Sequence, residues 1–70
     1  MKNHIQKLRE ELNLTQDELA RRVEVTRQTI NAIENDKYNP TLSLAFKLAR
    51  LFGLTVDQVF DYEAEIGKGK

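Results

Sequence analysis

The chain has no cysteine, no tryptophan, a single proline and three glycines, and its eleven Lys and Arg are matched by eleven Asp and Glu, so it carries no net charge. Without cysteine there is no disulfide, no thiolate nucleophile and no Cys-based zinc site to hold a small fold together. Stability then falls to apolar packing, helped by a second copy of the chain. Long apolar runs are also missing. The longest is Leu44, Ala45 and Phe46, against the roughly 20 residues of a membrane span or the 7 to 15 of a signal-peptide core. A soluble, cytoplasmic protein is expected. Its 70 residues make one small domain at most and exclude a two-domain enzyme. The zero net charge removes the bulk basic footprint common among nucleic-acid binders. The charges are unevenly spread, however: residues 1–50 hold 9 basic and 7 acidic groups, and residues 51–70 hold 2 and 4. The C-terminal end is therefore expected to face away from any polyanion.

What is present is a helical pattern. Leu, Ile, Val and Phe make up 20 of the 70 residues, above the roughly 20% below which a chain reads as disordered. Asn3 followed by Gln6 fits a capping box, and Ile5, Leu8 and Leu12 share one face, which predicts a first helix over 3–12. Thr15 with Glu18 forms a second capping box opening a short helix from Gln16 to Val23, with Asp17 and Glu18 suiting the positive end of its dipole. Thr26 caps a third helix from Arg27 to Asn35, with Ile30 and Ile33 inward. Asp36 to Pro40 carries turn chemistry. Thr41 opens a fourth helix with Leu44, Ala45, Leu48, Leu51 and Phe52 inward and Gly53 placed for a left-handed cap, followed by Leu54. Thr55 and Gln58 open a last short helix over Val56 to Phe60. Beyond Phe60 an alternation of period two is compatible with a short extended tail, and Gly67 to Lys70 are expected to be disordered. The expected core is Ile5, Leu8, Leu12, Leu19, Val23, Ile30, Ile33, Leu44, Leu48 and Phe52. The expected fold class is all-α with five helices, residues 3–60 forming the domain and 61–70 a tail.

Two short helices joined by a turn of about three residues make a helix-turn-helix signature. Ala20 is small where the two helices cross, Val25 plugs the turn, and Ile30 with Ile33 anchors the second helix. Arg27, Gln28, Asn31 and, more weakly, Thr26 and Ala32 are left on the outward side. These residue types suit a major groove: Arg donates twice to guanine, Gln or Asn pairs with adenine, and a Thr or Ala methyl meets that of thymine. No catalytic constellation competes. There is no nucleophile–base pair and no glycine-rich phosphate loop, and His4 has no second ligand at metal-binding spacing, so no enzyme activity, metal or cofactor is expected.

Three segments then carry a resemblance: Leu14-Thr15-Gln16-Asp17-Glu18-Leu19-Ala20, Val25-Thr26-Arg27-Gln28-Thr29-Ile30 and Ile33-Glu34-Asn35. Over residues 3–60 the chain resembles the Cro-like phage-repressor family, also called the xenobiotic-response-element family. In size and in Lys37-Tyr38-Asn39-Pro40 it is similar to the family's small stand-alone regulators. The resemblance implies a five-helix, lambda-repressor-like domain that binds double-stranded DNA. It places Gln16 on a backbone phosphate, Arg27, Gln28 and Asn31 at base- or phosphate-contacting positions, and Lys37 and Tyr38 along the sugar-phosphate backbone. It also implies an internal ion pair between Arg9 and Glu34. Two departures stand out: Glu24 and Asp36 occupy positions where the family usually has Gly, and both positions require positive φ at a cost on the order of 1 kcal/mol. Their carboxylates also weaken non-specific DNA binding.

The reading that follows is a sequence-specific transcriptional regulator, a repressor, with the third helix in the major groove. It acts as a homodimer joined through Leu54 to Tyr62 on a roughly palindromic operator, with recognition helices about 34 Å apart. Within that segment Phe60 and Tyr62 are read as dimer contacts in preference to core lids. The alternative is an antitoxin or protein-interaction module that keeps the fold with weak or no DNA binding, a reading that the neutral charge favours.

Overall fold

Caps set the boundaries of nearly every element in the computed structural model, which describes residues 1–61. In chain order these are β1 (Lys2–Asn3), α1 (Ile5–Glu11), α2 (Gln16–Arg22), α3 (Arg27–Glu34), α4 (Leu42–Phe52), α5 (Val56–Val59) and β2 (Phe60–Asp61). The Thr15 hydroxyl accepts from the Glu18 amide at 3.0 Å while the Glu18 carboxylate accepts from the Thr15 amide at 2.8 Å, closing the expected box at the start of α2. Thr26 and Thr41 accept from the amides of Thr29 and Leu44, each at 3.2 Å, at the starts of α3 and α4. At α5 Gln58 reaches back to accept from the Thr55 amide at 2.9 Å, and the Thr55 hydroxyl donates to Asp57 at 2.6 Å.

Helix ends are equally regular. At each of α1 to α4 a residue with positive φ follows the helix: Asn13 (58°), Glu24 (65°), Asp36 (61°) and Gly53 (70°). Its amide and the next one fold back on the last turn, as where Gly53 N–H meets Arg50 O at 3.1 Å and Leu54 N–H meets Ala49 O at 2.9 Å. The same pair of bonds runs from Asn13 and Leu14 to Glu10 and Arg9, from Glu24 and Val25 to Arg21 and Ala20, and from Asp36 and Lys37 to Ile33 and Ala32. This is the Schellman arrangement, which satisfies carbonyls that a helix end leaves unpaired. The left-handed conformation expected at Glu24 and Asp36 is thus present, and Asn13 adopts it as well.

Leu19, Ala20, Val23, Ile30, Ile33, Leu44, Leu48 and Ile5 form the buried core, joined by Ala45, Ala49, Val59 and Phe60. Leu8 and Phe52 are only partly buried. Three expectations need correction. Helix α1 begins at Ile5, not at residue 3, because Asn3 belongs to β1, which pairs antiparallel with β2 in the register Lys2↔Asp61 and Asn3↔Phe60. Asn3 still serves the helix, since its Oδ1 accepts from the Ile5 amide at 3.1 Å while its Nδ2 donates to Ile33 O at 2.8 Å; Gln6 instead donates to Glu10 at 3.3 Å. Leu12 is 50% exposed although its amide keeps the helical bond to Leu8 O at 3.3 Å, because it stands one turn beyond a Leu8 that is itself only partly buried, at the edge of the core. Phe60 is 3% exposed and closes the core from β2, so it is unavailable as a dimer contact; Val59 in the same segment is fully buried. Tyr62 and the expected disordered end, Gly67 to Lys70, lie outside the described residues.

Candidate nucleic-acid interface

Helices α2 and α3 are locked to each other from both sides. Ala20, Leu19, Val23, Ile30 and Ile33 bury the inner faces. At the turn, the Schellman bond from Val25 to Ala20 O, 2.9 Å, seats Val25 against the core, as its apolar character at that position required. With Ile30 and Ile33 inward, the opposite face of α3 must meet solvent, and Thr26, Arg27, Gln28 and Asn31 are exposed. Gln16, at the start of α2, is half-buried beside them, and Lys37 and Tyr38 are exposed in the segment after α3.

A polar chain ties the start of α2 and the middle of α3 to an ion pair beneath them. Arg9 Nε donates to Glu34 Oε2 at 2.7 Å and Arg9 Nη2 to Glu34 Oε1 at 3.3 Å, while Nη1 donates to Leu14 O at 2.8 Å. The pairing implied by the resemblance is therefore present, and it is nearly closed to water, with side-chain exposures of 11% and 3%. The hydrogen bond to Glu34 raises the Arg9 pKa above its ordinary value, against the opposing effect of burial. Glu34 Oε1 also accepts from Gln16 Nε2 at 2.9 Å, and Gln16 Oε1 lies 3.5 Å from Asn31 Nδ2, at the edge of hydrogen-bonding range. Asn35 Nδ2 donates to Asn31 O at 2.8 Å and to Asn31 Oδ1 at 3.3 Å. The amide orientations of Gln16 and Asn31 thus descend from a buried carboxylate. Sequence spacing gave no sign of this chain, because Gln16 and Asn31 come together only when the two helices cross.

Arg27, Gln28, Lys37 and Tyr38 contrast with these, for their side chains make no hydrogen bond or ion pair among the described residues. The Thr26 hydroxyl is taken up by the cap and by Thr29, 3.0 Å away, which leaves its methyl outward-facing chemistry. The two carboxylates that depart from the family pattern are neutralised locally. Glu24 accepts from Lys47 Nζ at 2.9 Å, and this bond lowers its pKa. Asp36 lies 3.9 Å from Lys2 Nζ and within 3.4 Å of Asn3 Nδ2. Arg21 is paired with Asp17 at 2.9 Å. No group of His, Asp and Glu among the described residues could hold a metal ion, and none of their helices is long and apolar enough to cross a membrane.

A layout of this kind, with a capped helix, a tight left-handed turn and a second helix presenting unpaired Arg and Gln, defines the class. The helix-turn-helix family matches residues 5–59, and the chain belongs to that family in its Cro-like form. It is 51% identical over 63 residues to an HTH-type transcriptional regulator of Methanocaldococcus jannaschii, covering 90% of this chain and 96% of the relative. It is 42% identical over 65 residues to an HTH-type transcriptional regulator of Bacillus subtilis, covering 93% and 98%. An immunity repressor protein of Bacillus phage phi105 is 36% identical over 62 residues, which are 89% of this chain and 43% of that protein. Among solved structures, a hypothetical transcription factor from Neisseria superposes with a TM-score of 0.73 at 27% identity, covering 87% of this chain and 71% of that one. The SinR protein in a SinR–SinI complex shares the fold, with a TM-score of 0.76 at 23% identity over 93% of this chain and 64% of that chain. The relatives from Methanocaldococcus jannaschii and Bacillus subtilis are named as transcriptional regulators.

Proposed function

We propose that this chain is a sequence-specific repressor that binds double-stranded DNA as a homodimer with α3 in the major groove. With DNA as its partner, it works in the cytoplasm. The observation that carries the reading is the set of unpaired, exposed donors on α3 and the following loop, standing beside a Gln16 held from below. Arg21 and Lys47, by contrast, are paired with Asp17 and Glu24. Arg27 and Gln28 lie in the first turn of α3, where side chains project ahead of the backbone and meet base edges. Asn31 follows one turn on, and the Thr26 methyl suits a thymine. Gln16, Lys37 and Tyr38 serve the phosphate backbone and set register without reading sequence. Repression is steric, by occupation of a promoter, and is supported by the name of the phage relative.

Selection of bound sites from a random DNA pool, followed by titration of variants against the selected site, tests this. Gln28→Ala costs about 1 to 3 kcal/mol per half-site and relaxes preference at one or two base positions, whereas Lys37→Ala weakens all sequences alike and shallows the salt slope by about one. A Gln28→Ala protein with full affinity and full base preference would refute the assignment of α3. Zero net charge favours a second reading, a protein-interaction module or antitoxin on the same fold. Complete absence of salt-sensitive retention on heparin would select it.

A further inference from the structure

Two groups that can only accept a hydrogen bond set the direction of the side-chain amides around Asn31. The Glu34 carboxylate, ion-paired with Arg9, has no proton to give, so the Gln16 group 2.9 Å from its Oε1 is Nε2, and Gln16 Oε1 is turned toward Asn31 Nδ2. From the other side, the Asn31 main-chain carbonyl accepts from Asn35 Nδ2 at 2.8 Å, and the same Nδ2 stands 3.3 Å from Asn31 Oδ1. An acceptor therefore faces the nitrogen of the Asn31 amide and a donor faces its oxygen. The two neighbours, one on α2 and one following α3, demand the same orientation. Turning the amide over would set oxygen against oxygen and nitrogen against nitrogen, with two hydrogen bonds lost.

We infer that Asn31 reads an adenine, and that Gln16 and Asn35 are positioning residues that fix the direction in which it reads; the inference rests on the DNA-binding reading above and names the base that one part of the site takes. A side-chain amide carries two N–H donors and two acceptor lone pairs. Each neighbour takes one, so the exposed Asn31 keeps one donor and one acceptor for a ligand. Among base edges in the major groove, only adenine sets an acceptor, N7, beside a donor, N6–H. Guanine offers two acceptors, cytosine a donor alone and thymine an acceptor beside a methyl, so each leaves half of the remaining Asn31 pair unmade. Because the amide is clamped, its order of donor and acceptor along the groove is fixed before DNA arrives, and little freedom is lost on binding. Arg27 and Gln28, whose side chains make no hydrogen bond among the described residues, have no such clamp. Gln16 also keeps its second Nε2 proton for a phosphate, so this one side chain joins a backbone contact to a base contact and its removal disturbs both.

Titration of the full chain against a site selected from a random DNA pool, and against every single-base change of that site, tests the inference. The wild type prefers A·T at one position of each half-site by about tenfold or more, and Asn31→Ala brings that preference to within about twofold at that position alone. Gln16→Met weakens binding to every sequence through the lost phosphate contact and also cuts the preference at the same position at least about threefold. Asn35→Ala cuts that preference without a uniform loss. Circular dichroism melts check that the variants fold, and Asn35→Ala stands in if Gln16→Met does not. A preference that survives both Gln16→Met and Asn35→Ala overturns the positioning roles, because a phosphate contact alone predicts only the uniform loss. Asn31→Ala acting at a G·C position, or at none, overturns the inference as a whole. Failure of the DNA reading looks different: a wild type that selects no site refutes both, whereas Gln28→Ala relaxing its own base positions while Asn31→Ala changes nothing refutes this inference and leaves that reading intact.

Discussion

Replacing Glu34 with alanine strikes the one place where the core and the candidate interface share a group. The carboxylate receives three donors, from Arg9 Nε at 2.7 Å, Arg9 Nη2 at 3.3 Å and Gln16 Nε2 at 2.9 Å. Its loss leaves a guanidinium that is 11% exposed holding only the Leu14 carbonyl. Breaking a buried pair by removing one partner costs about 3 to 5 kcal/mol, mostly from the uncompensated charge. In so small a domain the guanidinium lies close beneath the surface and water can reach it after the cut, so the lower end, about 3 kcal/mol, applies. A chain of this size has roughly 4 to 10 kcal/mol in total, so the variant folds marginally. Urea unfolding followed by circular dichroism reads the change: with a slope near 1 kcal/mol per molar, the midpoint falls by about 3 M. Replacing both partners, Arg9→Met with Glu34→Leu, removes the charge as well as its mate, and the double variant unfolds far closer to wild type than either single one. A loss below about 1 kcal/mol for Glu34→Ala, or a double variant as unstable as the two single losses combined, refutes the reasoning.

Three more outcomes follow from local conformation and charge. Gly53→Ala lowers stability by on the order of 1 kcal/mol and the melting temperature by about 4 to 8 °C, because φ is +70° there even though the space around the new methyl is open; Glu24→Gly, relieving a φ of 65°, moves the melting temperature upward. The Glu18 carboxylate sits below its usual 4.5, chiefly because it accepts from the Thr15 amide. Its folded pKa is therefore below its unfolded one, so the stabilisation is present above pH 4.5 and is lost as pH falls through the lowered value. Glu18→Gln keeps the capping acceptor, and calorimetry across that acid range finds a flatter loss of stability than in the wild type; an unchanged acid profile refutes this role for Glu18.

The sequence by itself determined the helix starts and most helix ends, and with them the identity of the outward face of α3. Thr15, Thr26 and Thr41 cap from three residues away, and the positive φ at Glu24, Asp36 and Gly53 belongs to a turn completed within six residues. Such contacts form wherever the chain places those residue types, so their spacing is legible without a fold. Once Ile30 and Ile33 point inward, helical geometry leaves Arg27, Gln28 and Asn31 no other side. Tertiary structure decided what depends on residues far apart in the chain. Asn3 reads locally as a helix cap, yet its pairing with Phe60 and its bond to Ile33 draw it into a strand. Phe60 reads as a surface aromatic until β1 lies beside it and turns it into the core. Leu12 keeps the spacing of a core residue but stands outside, one turn beyond a Leu8 that only partly reaches the core. Arg9, a charged residue on a solvated-looking helix, is buried only because Glu34 arrives from 25 residues away to compensate it. The energy of each of these depends on a partner that local pattern cannot locate, and the folded chain alone brings the two together.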